Sequence, residues 1–163
     1  PLTLPLRPPY RLPTHTPVRP LDDVLGELPT LIHEHRHVEG WWFPHADVIG
    51  LRTMTETDAP VNDKPFGRWL KEMVVGNVAF GAIALFTRLP GMAGLRPAAS
   101  RLVASLAGEK PYVDWSDRVL ATGRTVRANE MEYAIPAAQG RAAVLVIRGC
   151  VRTYRTHVLC TLE

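Results

Sequence analysis

The first periodic pattern of apolar and polar residues lies close to the beginning of the chain. Apolar residues recur every three or four positions between residues 24 and 32, which predicts a short helix with one apolar face. These residues are Val24, Leu25, Leu28, Leu31 and Ile32. We expect Asp22 or Asp23 to cap this helix and Pro29 to interrupt it.

Two later regions have the composition of strands. The run from Val38 to Thr57 is rich in aromatic and β-branched residues, with glycine and proline as punctuation. Trp41 and Trp42 lie side by side in it, so one ring should enter the core and the other should face outward at a ligand rim; Trp42 is our candidate substrate-binding residue. The runs 118–135, 142–152 and 154–162 predict an antiparallel meander.

A helical segment is expected between these two regions. After a turn-rich loop at 58–65, the apolar pattern extends from about Phe66 to Leu89, with a break near Asn77. The part from Val78 to Leu89 consists mainly of small and apolar residues, so we expect a buried helix packed on the sheet. The longest apolar stretch, Met73 to Leu89, is shorter than the roughly 20 residues of a membrane span. For residues 98–106 the sequence leaves helix and strand open.

The first 20 residues hold seven of the fifteen prolines, which excludes a helix or a central strand there. We expect an extended, proline-rich arm over residues 1–20, either free or laid across a partner. The rest, residues 21–163, is predicted to be a single α+β domain.

Composition narrows the classes of function. The chain has 163 residues, 46% hydrophobic and 21% charged, which is typical of a folded domain. The net charge of +3 comes mainly from scattered arginines, so a nucleic-acid partner is not expected. Two cysteines do not make a disulfide framework, which favours a reducing cytoplasmic or organellar compartment.

The run 76–85, with the pattern G-x-x-x-F-G-A-x-A-L, resembles the helix opening of hotdog-fold thioesterases. The run that begins at Asp117, D-R-V-L-A-T-G-R-T-V, is similar to the strand after that helix. The resemblance covers about residues 36–163. It implies an α+β hotdog-like fold, with an antiparallel sheet wrapped around one buried central helix.

The resemblance also implies a site and an activity. An acyl-thioester hydrolase or acyl-binding protein would polarise the thioester carbonyl at the helix N-terminus. The catalytic candidates are Asn77, Gly81 and Thr87, and the substrate-binding candidates beside Trp42 are Phe80 and Ala82. No cofactor is expected. The helix departs from the family because Thr87, Arg88 and Leu89 lie where many members have a carboxylate.

Two alternatives to the hydrolase are open. One is a catalytically inactive hotdog-like subunit of a larger complex. Both the hydrolase and the inactive subunit are expected to form a homo-oligomer or to belong to a larger assembly. The other is a small-molecule or metal-binding protein that uses His33, His35 and His37, since residues two apart share one face of a strand. No metal site is assigned.

Overall fold

The structure is a computed structural model of the chain, and it describes most but not all residues. The described residues are 7–43, 45–71, 73–74, 77, 81, 85, 92–106, 108–121, 131–154 and 160–162. The strands are β1 (Arg11–Thr16), β2 (Val18–Pro20), β3 (His37–Phe43), β4 (Val48–Met54), β5 (Glu109–Trp115) and β6 (Cys160–Leu162). The helices are α1 (Leu21–Glu34), α2 (Pro65–Lys71), α3 (Arg96–Leu106), α4 (Ser116–Leu120) and α5 (Gly140–Tyr154). Short 3₁₀ turns cover Met92–Leu95 and Ala137–Gln139.

The strands form two antiparallel sheets. One has four strands in the order β2-β4-β3-β6, and the other is the pair β1-β5. The two sheets adjoin because the backbone N–H of Leu51 donates to the carbonyl of Pro17 at 3.0 Å, and that of Thr57 donates to the carbonyl of Arg11 at 3.1 Å. The long β3–β4 hairpin therefore lies beside the first strands of the chain.

The main hydrophobic core lies between α1 and one face of the four-stranded sheet. Its buried residues are Leu21, Val24 and Leu25 of α1, Trp42, Ile49 and Leu51 of the sheet, and Val144 of α5. Full burial of one such aliphatic side chain stabilises the fold by about 1.5–3 kcal/mol. A second cluster of Leu12, Met54 and Val119 lies where β1 and β4 meet α4.

The helix predicted near residue 24 is confirmed, but its details differ. It runs through Pro29 without a break, although proline cannot donate the usual helix hydrogen bond. Neither Asp22 nor Asp23 caps it: Pro20 is the N-cap residue and makes no side-chain cap bond. The N–H of Leu21 instead donates to the carbonyl of Asp47, at 3.0 Å, in the β3–β4 turn.

The strand predicted over 142–152 is wrong, because α5 covers those residues. The buried side chains of α5 are Val144 and Val151, seven positions apart on one helix face, and this helical spacing outweighed the β-branched composition. The strand predicted over 118–135 is wrong at both of its described ends, because α4 extends to Leu120 and residues 131–135 form neither strand nor helix. Of 154–162, only the three residues of β6 are a described strand.

The α+β class agrees with the two antiparallel sheets and the helices around them. The arrangement around a central helix stays a prediction, because most of 78–89 lies outside the described residues. Gly81 and Leu85 do have helical backbones, but Leu85 is 66% exposed, contrary to the burial that we expected. In the described part of the chain, no helix has the length and apolar character needed to cross a membrane.

The proline-rich arm is extended from Arg11 to Pro20, and its pairing partners lie in this chain. Pro13 pairs with Val113 across the β1-β5 ribbon, and Pro20 pairs with Val48 at the edge of the larger sheet. Both positions suit proline, which cannot donate to a central ladder.

Candidate functional site

The residues predicted for the thioester site are only partly described. Trp42 is fully buried in the main core, and its indole N–H has no hydrogen-bond partner among the described residues. Asn77 is buried and Gly81 has a helical backbone. Phe80, Ala82 and Thr87 lie outside the described residues. Trp42 therefore contributes to packing under α1, and Trp41 is the less buried ring of the pair.

The histidines of the cluster are not brought together. His33 lies in the last turn of α1, and His35 follows the helix, with Nδ1 3.1 Å from the hydroxyl of Thr55. His37 starts β3 and contacts Tyr10. The residues do not share one strand face, because the helix continues to Glu34. Among the described residues, no group of three or more His, Cys, Asp or Glu side chains could hold a metal ion.

A different group of polar residues does converge, at the open end of the β3–β4 hairpin, where β3 begins and β4 ends. We call it the Tyr10–His37 cluster; its members are Arg7, Tyr10, Arg36, His37 and Glu56. The hairpin register pairs His37 with Met54, which brings Glu56 close to the start of β3. The bond between Thr57 and Arg11 then holds Tyr10 against both.

The contacts within the cluster are close. The hydroxyl of Tyr10 lies 3.0 Å from Nε2 of His37, and the two rings stack with an angle of 8° between their planes. Arg7 donates to both oxygens of Glu56 at 2.7 Å. Arg36 lies 3.2 Å from the same carboxylate, and both guanidinium groups lie over the Tyr10 ring, at 4.8 and 5.4 Å.

These contacts set the charges of the cluster. The hydrogen bond from Arg7 lowers the pKa of Glu56, and the nearby positive charges of Arg7 and Arg36 add to this effect. The same hydrogen bond raises the pKa of Arg7. At neutral pH the cluster therefore combines one ionised carboxylate with two guanidinium groups, a phenol and an imidazole.

A surface depression of about 350 Å³ lies next to this cluster. Tyr10, Glu56, Asp58 and Trp115 are among the residues that line it. Carboxylates and a phenol can hydrogen-bond to hydroxyl groups, and Trp115, which is 39% exposed, offers an aromatic surface to C–H groups. Such a lining suits a small, uncharged, hydroxyl-rich molecule.

Two other ionic groups are satisfied internally. Arg52 is buried beneath the ring of Trp41 and donates to Glu109 at 2.9 Å, with Glu39 3.6 Å away. Asp114 is fully buried and accepts from Arg68 at 2.9 Å. Asp114 lies near the end of β5, next to Trp115.

Sequence reasoning missed the Tyr10–His37 cluster. Its members come from three separate segments of the chain, and Arg7 and Tyr10 lie in the proline-rich arm. The one available signal was the presence of Arg36, His37 and Glu56 at the ends of a predicted strand region, where β-hairpin pairing can bring such residues together.

Comparison with known proteins corrects the predicted function. The family model for D-arabinono-1,4-lactone oxidase matches residues 2–163. The chain is 32% identical, over 166 aligned positions, to an L-gulono-1,4-lactone dehydrogenase of Mycobacterium tuberculosis, in both strain CDC 1551 / Oshkosh and strain ATCC 25618 / H37Rv. The match covers 99% of this chain but only 37% of each relative.

The resemblance to hotdog thioesterases is therefore wrong, and so are the two functions drawn from it, the acyl-thioester hydrolase and the inactive hotdog-like subunit. The run 76–85 misled because small and apolar residues at helical spacing recur in unrelated helices. A match along almost the whole chain outweighs a ten-residue pattern. The chain belongs to the D-arabinono-1,4-lactone oxidase family.

Proposed function

We propose that this chain forms a sugar-lactone-binding part of an aldono-1,4-lactone oxidase or dehydrogenase. The family match and the name of the mycobacterial relative support this class of substrate. Within this chain, we assign the lactone site to the Tyr10–His37 cluster and the polar depression beside it.

The chemistry of the ligand fits the cluster. An aldono-1,4-lactone is an uncharged ring with one ester carbonyl and several hydroxyl groups. Of the residues that line the depression, Glu56 can accept from hydroxyls, Arg11 can donate to the carbonyl oxygen, and Tyr10 can do either. Hydrogen bonds that involve a charged group contribute about 1.5–3 kcal/mol, so two or three of them support millimolar to micromolar binding.

Oxidation of a hydroxyl-bearing carbon removes a hydride and a proton, and a cofactor such as a flavin or a nicotinamide takes up the hydride. Our expectation of no cofactor was tied to thioester hydrolysis. The sequence contains no Gly-x-Gly-x-x-Gly, and α1, which directly follows β2, opens with Asp22 and Asp23, which would repel phosphates. The described residues do not fit a dinucleotide, so we assign them lactone binding and no step of hydride transfer.

Calorimetric titration with L-gulono-1,4-lactone tests the proposal on the chain as it is. Tyr10→Phe keeps the ring stack and removes one hydroxyl, so it should weaken binding about 3- to 10-fold, equivalent to about 0.5–1.5 kcal/mol. Tyr133→Phe is the matched control, because Tyr133 is 76% exposed and not among the residues that line the depression. No lactone binding, or equal affinities for the two variants, would contradict the proposal.

A further inference from the structure

Helix α2 presents its apolar side to solvent. Apolar residues occupy positions 66, 69, 70, 73 and 74, the spacing by which a helix normally buries one face. We call Phe66, Trp69, Leu70, Met73 and Val74 the α2 stripe; the first three lie in α2, and Met73 and Val74 lie just beyond its end with helical backbones. Their exposed fractions are 74%, 53%, 47%, 36% and 49%. Phe66 and Trp69 stack with their ring centres 6.1 Å apart, so the stripe has a continuous aromatic end.

The opposite side of α2 is fixed to the domain by charge. Arg68 lies 2.9 Å from the fully buried carboxylate of Asp114, and its Nε lies 3.5 Å from Asp63. The loop before the helix is also held, because Asn62 exchanges hydrogen bonds with the backbone of Val113 at 2.8 and 3.1 Å. Rolling α2 to bury its stripe would take Arg68 from Asp114, so the helix is held with its apolar side outward.

The exposed area of the stripe is roughly 500 Å², since each aromatic side chain offers about 150–250 Å². Two copies that met through it would bury about 1,000 Å², which is below the roughly 1,200–2,000 Å² of stable protein–protein interfaces. Contacts between units of one polypeptide are commonly about 600–1,500 Å², because tethering keeps the partners together. The area therefore suits a contact within a longer protein.

The partner of the stripe can be inferred from the greater length of the relatives. The chain spans 37% of each mycobacterial relative, so proteins of this family carry further polypeptide outside the matched region. We propose that the α2 stripe is the surface on which that further polypeptide docks. The centre of the contact is apolar, with Phe66 and Trp69 as its anchors, as is usual for the buried core of an interface.

Hydroxyl-radical footprinting tests this inference in two proteins: the chain alone, and the M. tuberculosis relative with its matched segment replaced by this chain. Trp69 and Met73 should be oxidised markedly more slowly in the longer protein. Met131 and Tyr133, which are 84% and 76% exposed, report the general level of oxidation. Equal rates at Trp69 in the two proteins would overturn the proposal.

Two further outcomes would also overturn the proposal. Protection of Trp69 that grows with the concentration of the isolated chain would indicate a second copy as the partner. Protection of Trp69 only in the presence of phospholipid vesicles would indicate a lipid surface.

The double variant Phe66→Ser/Trp69→Ser of the isolated chain gives a measurement that does not depend on the longer protein. Its melting temperature should be unchanged, because both replaced side chains are more than half exposed. A loss as large as that of a core variant would contradict the proposal.

Discussion

Helices α1 and α2 use the same apolar spacing in opposite ways. In α1, Leu21, Val24 and Leu25 are buried against the sheet, and its acidic side chains face outward. In α2 the apolar stripe is exposed, and Arg68 faces the domain. The difference shows that apolar periodicity indicates which side of a helix needs a partner. It does not indicate which side packs on the domain, because a buried counter-charge such as Asp114 can orient the helix the other way.

The largest expected effect is at the ion pair that orients α2. Arg68→Met removes the closest described cation from the fully buried Asp114 and leaves Arg118 at 3.6 Å. Removing one partner of a buried pair costs about 3–5 kcal/mol, so urea unfolding should show a loss in that range. Arg118→Met, on the 54% exposed partner, is the control and should cost much less. Equal losses would mean that Arg68 does not hold the helix.

The next largest change in the free energy of unfolding is expected from matched truncations in the two helices. Leu25→Ala removes a buried side chain of α1 and should cost about 2–5 kcal/mol. Leu70→Ala removes the same atoms from the exposed α2 stripe and should change the free energy of unfolding by less than about 0.5 kcal/mol. Chemical denaturation of both variants measures the difference. Similar losses would remove the distinction between the two helices.

A smaller effect is expected at the β3–β4 turn, where Asp47 connects three elements. Its backbone has φ 51°, which aspartate tolerates better than most residues, and its carboxylate pairs with Arg148 and Arg152 of α5. Asp47→Ala should cost about 1 kcal/mol, because these pairs are partly exposed. Asp22→Ala, which removes another carboxylate on Arg148, is the control and should leave the turn unchanged. Protection of α5 amides from hydrogen exchange should fall only in Asp47→Ala.

How far the sequence predicts this molecule depends on how local the signal is. The apolar stripe of α1 and the aromatic run of the β3–β4 region were sufficient to place both elements. Helix α5 was missed because residues 144–147 are Val, Leu, Val and Ile, a composition typical of a strand. In this region only the seven-residue spacing of Val144 and Val151 indicates a helix. The Tyr10–His37 cluster depends on pairing between distant segments, which no local window contains.

The smallest effect is a titration within that cluster. Arg7 holds the pKa of Glu56 below its ordinary value of 4.5, so the carboxylate stabilises the fold above pH 4.5 and loses that contribution as the pH falls through the lowered pKa. Arg7→Ala should raise the pKa of Glu56 towards the ordinary value, as followed by NMR of the side-chain carboxyl. Glu27, whose pKa is lowered by Arg19, should keep its value in that variant. An unchanged Glu56 would show that Arg7 does not bind it in solution.

The central proposal is that this chain recognises a sugar lactone through the Tyr10–His37 cluster. NMR titration of the chain with L-gulono-1,4-lactone tests it most directly, with the aromatic resonances assigned. The account predicts saturable shifts of the Tyr10 and His37 ring signals and of Trp115, with no shift at Phe66 or Trp69 on the α2 stripe. Shifts confined to other residues, or none at Tyr10 and His37 at saturating lactone, would contradict it.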